Sequence, residues 1–369
     1  MKAIIVVGAR PNFMKAAPIL RAFDEARNDR SSGDIEYVLL HTGQHYDDNM
    51  SKVFFSELEM PPPDIDLGVG SGTQAEQTAL IMVRFEKYCS ENPPDLVVVV
   101  GDVNSTLACS ITAVKLGVPV AHVEAGLRSY DRSMPEEINR VVTDALSEHL
   151  FTTSRDADEN LKKEGIPSEK IHFVGNVMID TLYRLLPKTS MSNIRARIGI
   201  ENTPYVLVTF HRPSNVDDRE NIKSILDALV KISEKIKVIF PVHPRTMSVI
   251  TRLGAGFKGA DGLKLTGPLG YLDFLSLMRD ASLVVTDSGG IQEETTVLGV
   301  PCLTFRENTE RPVTVTEGTN ILVGTDPRKL VDEAFFVLQG KKKNGRIPEL
   351  WDGKASCRIV RKILEIYGK

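Results

Sequence analysis

The chain of 369 residues is long enough for two domains, each with its own core. With 42% hydrophobic residues, 25% charged residues and a formal net charge of −4, it carries no basic stripe or acidic tail, so neither nucleic acid nor a membrane surface is expected as a partner. No apolar run approaches the roughly 20 residues of a membrane span, and Cys89, Cys109, Cys302 and Cys357 lack the paired spacing of a zinc site or disulfide framework, so a reducing cytoplasm is expected.

The N-terminal run Lys2 to Val7 is too short for a signal peptide and leads directly into a glycine turn, so it reads as a first strand. Further apolar runs follow at Tyr37 to His41, Asp95 to Val100, Pro119 to Val123, His149 to Thr152 and Ile171 to Val174. Helical patterns separate them at Phe13 to Arg27, Asn49 to Leu58, Thr73 to Cys89, Ser105 to Leu116 and Glu136 to Leu146. Runs without alternation, such as Leu96 to Val100, suit parallel strands covered on both faces. From Pro187 to Pro204 the pattern becomes polar and irregular, and then it resumes. Strands are expected at Tyr205 to Phe210, Lys237 to Val242, Leu263 to Leu265, Leu283 to Val285, Cys302 to Phe305 and Ile321 to Val323, with helices at Arg219 to Ile236, Tyr271 to Asp280, Gln292 to Leu298 and Arg328 to Leu338. Such a repeated alternation predicts an α/β protein of two doubly wound, Rossmann-like domains facing a central cleft. The expected bounds are 1–175 and 176–353, with the amphipathic segment 354–369 packing back on the first domain.

The chemistry-bearing residues fall where strands end, the edge at which doubly wound sheets bind ligands. Leu283-Val284-Val285 runs into Thr286-Asp287-Ser288-Gly289-Gly290 and then into a helix, so backbone amides from Ser288 to Ile291 should form an anion site. Glu293 and Glu294 are expected in the first turn of that helix, either gripping ribose hydroxyls or merely complementing the helix dipole. Gly8-Ala9-Arg10-Pro11 follows the first strand but lacks the second and third glycines of a dinucleotide fingerprint, so no nicotinamide or other cofactor is expected. Arg10 and Lys15, about a turn apart at a helix entrance, suit a diphosphate, although a solvated surface pair would look the same.

Gly101-Asp102 and His122-Val123-Glu124 end strands, with Arg128 near enough to be a counter-charge for Glu124. Asp102 competes with Asn104 and Ser105 for the role of helix cap. Pro135-Glu136-Glu137 opens a helix, where one glutamate would suffice for the dipole. In the second half His211 and His243 each end an apolar run beside an arginine, and Thr309-Glu310-Arg311-Pro312 adds another cation. His41 and His45 straddle a glycine turn instead of sharing a helix face, so no metal is expected.

Taken in order, these stretches resemble the non-hydrolysing UDP-N-acetylglucosamine 2-epimerases, together with His41-Thr42-Gly43-Gln44-His45 and Ile291-Gln292-Glu293-Glu294, over nearly the whole chain. The resemblance implies a fold like that of two-domain GT-B glycosyltransferases, a UDP-sugar substrate and a homodimer. It implies catalytic roles for Asp102, Glu124, Glu136 and His211, and substrate contacts from Arg10, Lys15, Gln44, His243, Phe274, Ser288, Gly289, Gly290, Glu294 and Arg311. Two departures stand out. Ser214 occupies the place of a glutamate in the family's His-Arg-x-Glu-Asn pattern, and Gln44-His45 is followed by Tyr46-Asp47 instead of the Arg-containing run of members that substrate activates at a second site. His-Thr-Gly-Gln-His-Tyr-Asp also resembles relatives acting on UDP-2,3-diacetamido-2,3-dideoxyglucuronic acid. The implied reaction is reversible inversion at C2. The rivals are a GT-B glycosyltransferase, which would need an acceptor groove for which the chain shows no basic or apolar surface, and a non-enzymatic nucleotide-sugar binder, for which several carboxylates in one cleft would be an electrostatic cost without a role.

Overall fold

The computed structural model describes residues 1–28, 35–44, 55, 57–252, 261–341 and 343–368, without the side chains of Arg10 and Arg245. The expected helix Asn49 to Leu58 falls mostly outside them, as do His45, Tyr46 and Asp47. The chain forms two compact units, Met1–Arg184 with Glu349–Lys369, and Leu185–Pro348.

The first unit is a seven-stranded, all-parallel sheet of order β3-β2-β1-β4-β5-β6-β7. Its strands are β1 Lys2–Val7, β2 Glu36–His41, β3 Ile65–Asp66, β4 Leu96–Val100, β5 Val120–Ala125, β6 His149–Thr152 and β7 Ile171–Phe173. The helices are α1 Arg10–Asn28, α2 Gln74–Glu91, α3 Asn104–Lys115, α4 Pro135–Leu146, α5 Arg155–Lys163 and α6 Val177–Leu185. Every residue of β4 is fully buried, as its unbroken valine run requires, and Val97 and Val99 pack with Ile4, Val6, Ile81 and Phe85. Burying each such side chain stabilises the unit by about 1.5–3 kcal/mol before conformational entropy is set against it.

The second unit repeats the plan with six parallel strands in the order β10-β9-β8-β11-β12-β13. They are β8 Tyr205–Thr209, β9 Lys237–Pro241, β10 Leu263–Thr266, β11 Leu283–Thr286, β12 Cys302–Thr304 and β13 Asn320–Leu322. The longer helices are α7 Arg219–Ser233, α8 Pro244–Arg252, α9 Tyr271–Arg279, α10 Gly289–Leu298 and α11 Pro327–Leu338. The stretch expected to be irregular holds a 3-10 segment, Leu186–Met191, and a short helix, Ile194–Arg197.

The last helix, α12 Ala355–Tyr367, packs on α1 within the first unit. The boundaries fall at 184/185 and 348/349, where 175/176 and 353/354 were expected. The cause lies in α6, whose Asp180 carboxylate accepts the backbone N–H groups of Ala355 (3.1 Å) and Ser356 (2.7 Å), while the Trp351 indole donates to the Thr153 carbonyl (2.9 Å). These bonds tie α6 and the chain from Trp351 onward to the first unit. Among the described residues no helix is long and apolar enough to cross a membrane.

Candidate active site

Strand order reverses direction between β1 and β4 in the first unit and between β8 and β11 in the second. Each reversal leaves a crevice at the carboxyl ends of the strands, where doubly wound sheets bind ligands.

In the first unit the turn after β1 is held by Asn12. Its Oδ1 accepts the amides of Gly8 and Ala9 (both 3.1 Å), and its Nδ2 donates to the Val100 carbonyl (2.8 Å) at the end of β4. A Cβ on Gly8 would lie 1.9 Å from Ser105 Oγ, so only glycine fits. Arg10 begins α1, but its side chain lies outside the described residues. Lys15, further along that helix, is buried, and its Nζ sits 2.7 Å from Glu124 Oε1. Glu124 stands at a bulge in β5 with φ +74°, a left-handed conformation that costs of order 1–3 kcal/mol in a non-glycine residue and re-aims its side chain. A Cβ on Gly101 would come within 2.7 Å of Lys15 Nζ, so the ion pair lies directly beside the residue preceding Asp102.

Asp102 is gripped by Arg140 of α4, whose Nε and Nη2 lie 3.0 and 2.9 Å from its Oδ2. Arg140 also bonds Glu137, which in turn accepts the amides of Ser129 and Tyr130 (2.9 Å each). The Asn139 amide donates to the Asp102 carbonyl (2.8 Å). Through these bonds α4 is docked on the β4–α3 turn. Pro135-Glu136-Glu137 therefore divides its labour: Glu137 is buried in the bracing, and Glu136 remains exposed at the head of the same helix.

Arg128 is not the counter-charge of Glu124. Past the Gly126 turn it runs to Asp144 (2.7 Å) and Glu164 (2.6 and 2.7 Å), and Lys15 pairs with Glu124 instead. Beneath the site His122 bridges the Gly101 carbonyl (2.8 Å) and Asp144 (2.6 Å). Burial alone would raise the Asp144 pKa, but His122 and Arg128 hold it below the ordinary carboxylate value.

In the second unit β8 delivers His211 and β11 delivers the turn Asp287 to Gly290. Ser288 stands at the N-cap of α10, which begins at Gly289. Glu293 and Glu294 are therefore its fifth and sixth residues, beyond the first turn in which they were expected, and both are buried. Glu293 pairs with Arg311 (Nε–Oε1 2.8 Å), and Glu294 accepts the Tyr271 hydroxyl from α9. Burial, with Glu294 alongside, pushes the Tyr271 phenol well above its ordinary pKa, so it stays a donor. Arg311 also pairs with Glu310, which bonds Arg306 (2.7 Å). A Cβ on Gly289 would lie 2.3 Å from Arg311 Nη1: glycine admits the guanidinium to the start of α10. A helix N-terminus with an arginine against it suits a diphosphate.

His211 is 58% exposed, and its Nδ1 lies 2.8 Å from Oδ1 of the fully buried Asp287. Burial would raise the Asp287 pKa, but His211, Asn215 and the Arg212 amide lower it, so the group is an anion. Phe274 lies half-buried on α9, three residues after Tyr271, and His243 is exposed between β9 and α8. Gln44 is buried, with Oε1 accepting the Ser105 amide (3.1 Å) and hydroxyl (2.6 Å), so it braces the start of α3. Among the described residues no group of three or more His, Cys, Asp or Glu side chains could hold a metal ion.

Within the first unit Lys15, Asp102, Glu124 and the head of α4 with Glu136 thus come together, and within the second His211, Ser288, Gly289, Gly290, Glu294 and Arg311. The residues that sequence reasoning missed are partners: Arg140, Tyr271 and Asp287. Only Asp287 carried a signal, as an acid immediately after a buried strand.

The family model described as UDP-N-acetylglucosamine 2-epimerase matches residues 27–364. The chain is similar to the UDP-N-acetylglucosamine 2-epimerase of Methanocaldococcus jannaschii, with 44% identity over 376 residues and 100% of both chains covered. It is also similar to the UDP-2,3-diacetamido-2,3-dideoxy-D-glucuronate 2-epimerase of Pseudomonas aeruginosa, with 39% identity over 370 residues, 99% of this chain and 100% of that one. Among solved structures, the M. jannaschii enzyme in complex with UDP-GlcNAc and UDP superposes with a TM-score of 0.90 at 44% identity, covering 99% of this chain and 100% of that one. The Neisseria meningitidis UDP-GlcNAc 2-epimerase bound to UDP-GlcNAc gives 0.88 at 32% identity, again covering 99% and 100%.

Proposed function

The chain belongs to the UDP-N-acetylglucosamine 2-epimerase family, an isomerase family with a GT-B-like fold, and from that premise we propose that it interconverts UDP-N-acetylglucosamine and UDP-N-acetylmannosamine. C2 of the sugar has no neighbouring carbonyl, so its proton is not acidic enough for simple exchange. Inversion proceeds by anti elimination. A base takes the C2 proton, the C–H electrons form the C1=C2 bond of a 2-acetamidoglucal, and the C1–O bond breaks with UDP leaving as the anion. Re-addition then delivers a proton to the opposite face of C2 while a UDP oxygen closes on C1.

The leaving diphosphate is met by the start of α10 and by Arg311, with Arg10 and Lys15 as further cations. Asp102, Glu124, Glu136 and His211 supply acid and base for the two faces. The observation that carries this reading is the pairing, at one switch point, of an anion site built from Gly289 and Arg311 with a histidine whose Nδ1 is held by Asp287.

A second sugar, UDP-2,3-diacetamido-2,3-dideoxyglucuronic acid, is favoured by the Pseudomonas relative. A homodimer belongs to the same proposal, supported by exposed Leu80 and Val83 on α2 and Ile138 on α4, helices that flank α3 side by side. So does a cytoplasmic setting, supported by four free cysteines, of which three are buried. Light scattering tests the dimer. The reaction is tested by NMR of the protein with UDP-N-acetylglucosamine in heavy water. Deuterium is expected at C2 of the product and not at C1 or C3, and product with protium at C2 overturns the mechanism. Comparing kcat/KM for the two sugars decides the substrate.

A further inference from the structure

We infer that Asp287 is the positioning residue for His211, fixing which ring nitrogen exchanges the proton; the catalytic half of the inference rests on the acid/base role proposed above. A carboxylate with no exposure to solvent needs donors on every side. Asp287 takes all those described for it from one five-residue stretch: His211 Nδ1 (2.8 Å), the His211 amide (3.1 and 3.2 Å to its two oxygens), the Arg212 amide (3.0 Å) and Asn215 Nδ2 (2.9 Å). The same residue's carbonyl accepts Arg212 Nε (3.1 Å), and its amide donates to Thr209 (3.4 Å). The loop after β8 is therefore built around one side chain that immediately follows β11.

An ionised carboxylate only accepts. The Nδ1 nitrogen must carry the hydrogen, and Nε2 is left as the lone pair of the neutral ring or the acid of the charged one. The main-chain bonds alone would hold the loop, and an asparagine could keep them. What only the carboxylate provides is the choice of tautomer and a charge for the imidazolium to lean on. Because Ser288 follows directly at the N-cap position of α10, a single turn both receives the phosphates and orients the ring.

The test is Asp287→Asn, which preserves size and main-chain acceptors. In 15N-histidine spectra, with the His211 signals identified by their loss in His211→Gln, the wild type should show hydrogen on Nδ1 and the variant should lose that state. Turnover should fall by about 10²- to 10⁴-fold, as when the carboxylate behind a catalytic histidine is replaced, with KM and UDP affinity within about twofold. Asn215→Ala, which removes one bond to the carboxylate and keeps the charge, should lower kcat about threefold to tenfold, and it serves if the first variant does not fold. A ring that keeps its tautomer in Asp287→Asn, or an unchanged kcat in a folded Asn215→Ala, overturns the inference. A ring that changes tautomer while turnover stays at the wild-type value overturns the proton-transfer role of His211 instead.

Discussion

The two units share a topology and invert its electrostatics. At the first switch point the groups proposed to react are carboxylates and the braces are cations: Lys15 holds Glu124, and Arg140 holds Asp102. At the second the groups proposed to act on substrate are a histidine and an arginine, and the braces are carboxylates: Asp287 holds His211, while Glu293 and Glu310 hold Arg311. In the proposed reaction the acids of the first unit move protons on the sugar, while the start of α10 and Arg311 in the second receive the departing anion and His211 is that unit's proton carrier. A doubly wound sheet supplies the ledge, and the side chains following each strand decide the chemistry.

The largest expected effect tests the proton-moving half. Glu124→Gln and Glu136→Gln retain shape and hydrogen bonding, and each should lower turnover by roughly 10²- to 10⁴-fold while calorimetry still finds UDP bound. Loss of UDP affinity with turnover preserved at saturation would break the division between the units. Slightly smaller is the effect of Lys15→Met on stability. It takes from Glu124 its buried ammonium partner, at a cost on the order of 3–5 kcal/mol. The double variant Lys15→Met/Glu124→Gln should recover most of this in a denaturant titration. A double variant no more stable than the single would mean that the pair does not matter to the fold.

The anion half is tested by Arg311→Ala and Glu294→Ala. Each should weaken UDP binding by roughly 1.5–3 kcal/mol, the worth of a hydrogen bond to a charged group, with a far smaller loss of kcat at saturation. Gly289→Ala sharpens the point without removing a charge. Its Cβ would sit 2.3 Å from Arg311 Nη1, so the guanidinium must shift and UDP affinity should drop in the same direction. Unaltered affinity in all three would move the diphosphate away from α10.

Most strands are legible because their runs are buried on both faces, and so are the residues that leave their ends, Asp102, Glu124 and His211 among them. The two-residue β3 carries no period to read, and α5, RDADENLKK, is too polar to look like an element. What the sequence hides is partnership. Lys15 and Glu124 are 109 residues apart and His211 lies 76 from Asp287, and their spacing says nothing about contact. Nearness in sequence was also misleading at Arg128, because the positive-φ turn at Gly126 carries the chain toward Asp144. Bracing residues are as necessary to the site as those proposed to react, yet Lys15, Arg140 and Glu293 lie within helices and away from strand ends.

The smallest effect contrasts two histidines. His211 is exposed and faces a carboxylate. His172, on β7 of the first unit, lies against Phe151 and His149, and its Nε2 is buried without a hydrogen-bond partner among the described residues. Burial, with His149 and Lys362 nearby, lowers the His172 pKa to about 4, and Glu365 opposes the shift only in part. His149 bonds the Tyr367 hydroxyl at the end of α12 (2.8 Å), and Glu148 and Lys170 also face it. Between pH 6.5 and 4 the unfolded chain protonates this histidine and the folded one does not. The unfolded state then binds more protons, and stability declines as pH falls through that window and levels off below it. For a half-buried group the loss is on the order of 1 kcal/mol after screening. Replacing His172 with leucine should flatten the melting temperature against pH across that range and leave kcat unchanged. Replacing His211 with glutamine should do the reverse. If the leucine variant keeps the wild-type slope, the acid sensitivity of the first unit lies elsewhere than in the packing of α12 on its last two strands.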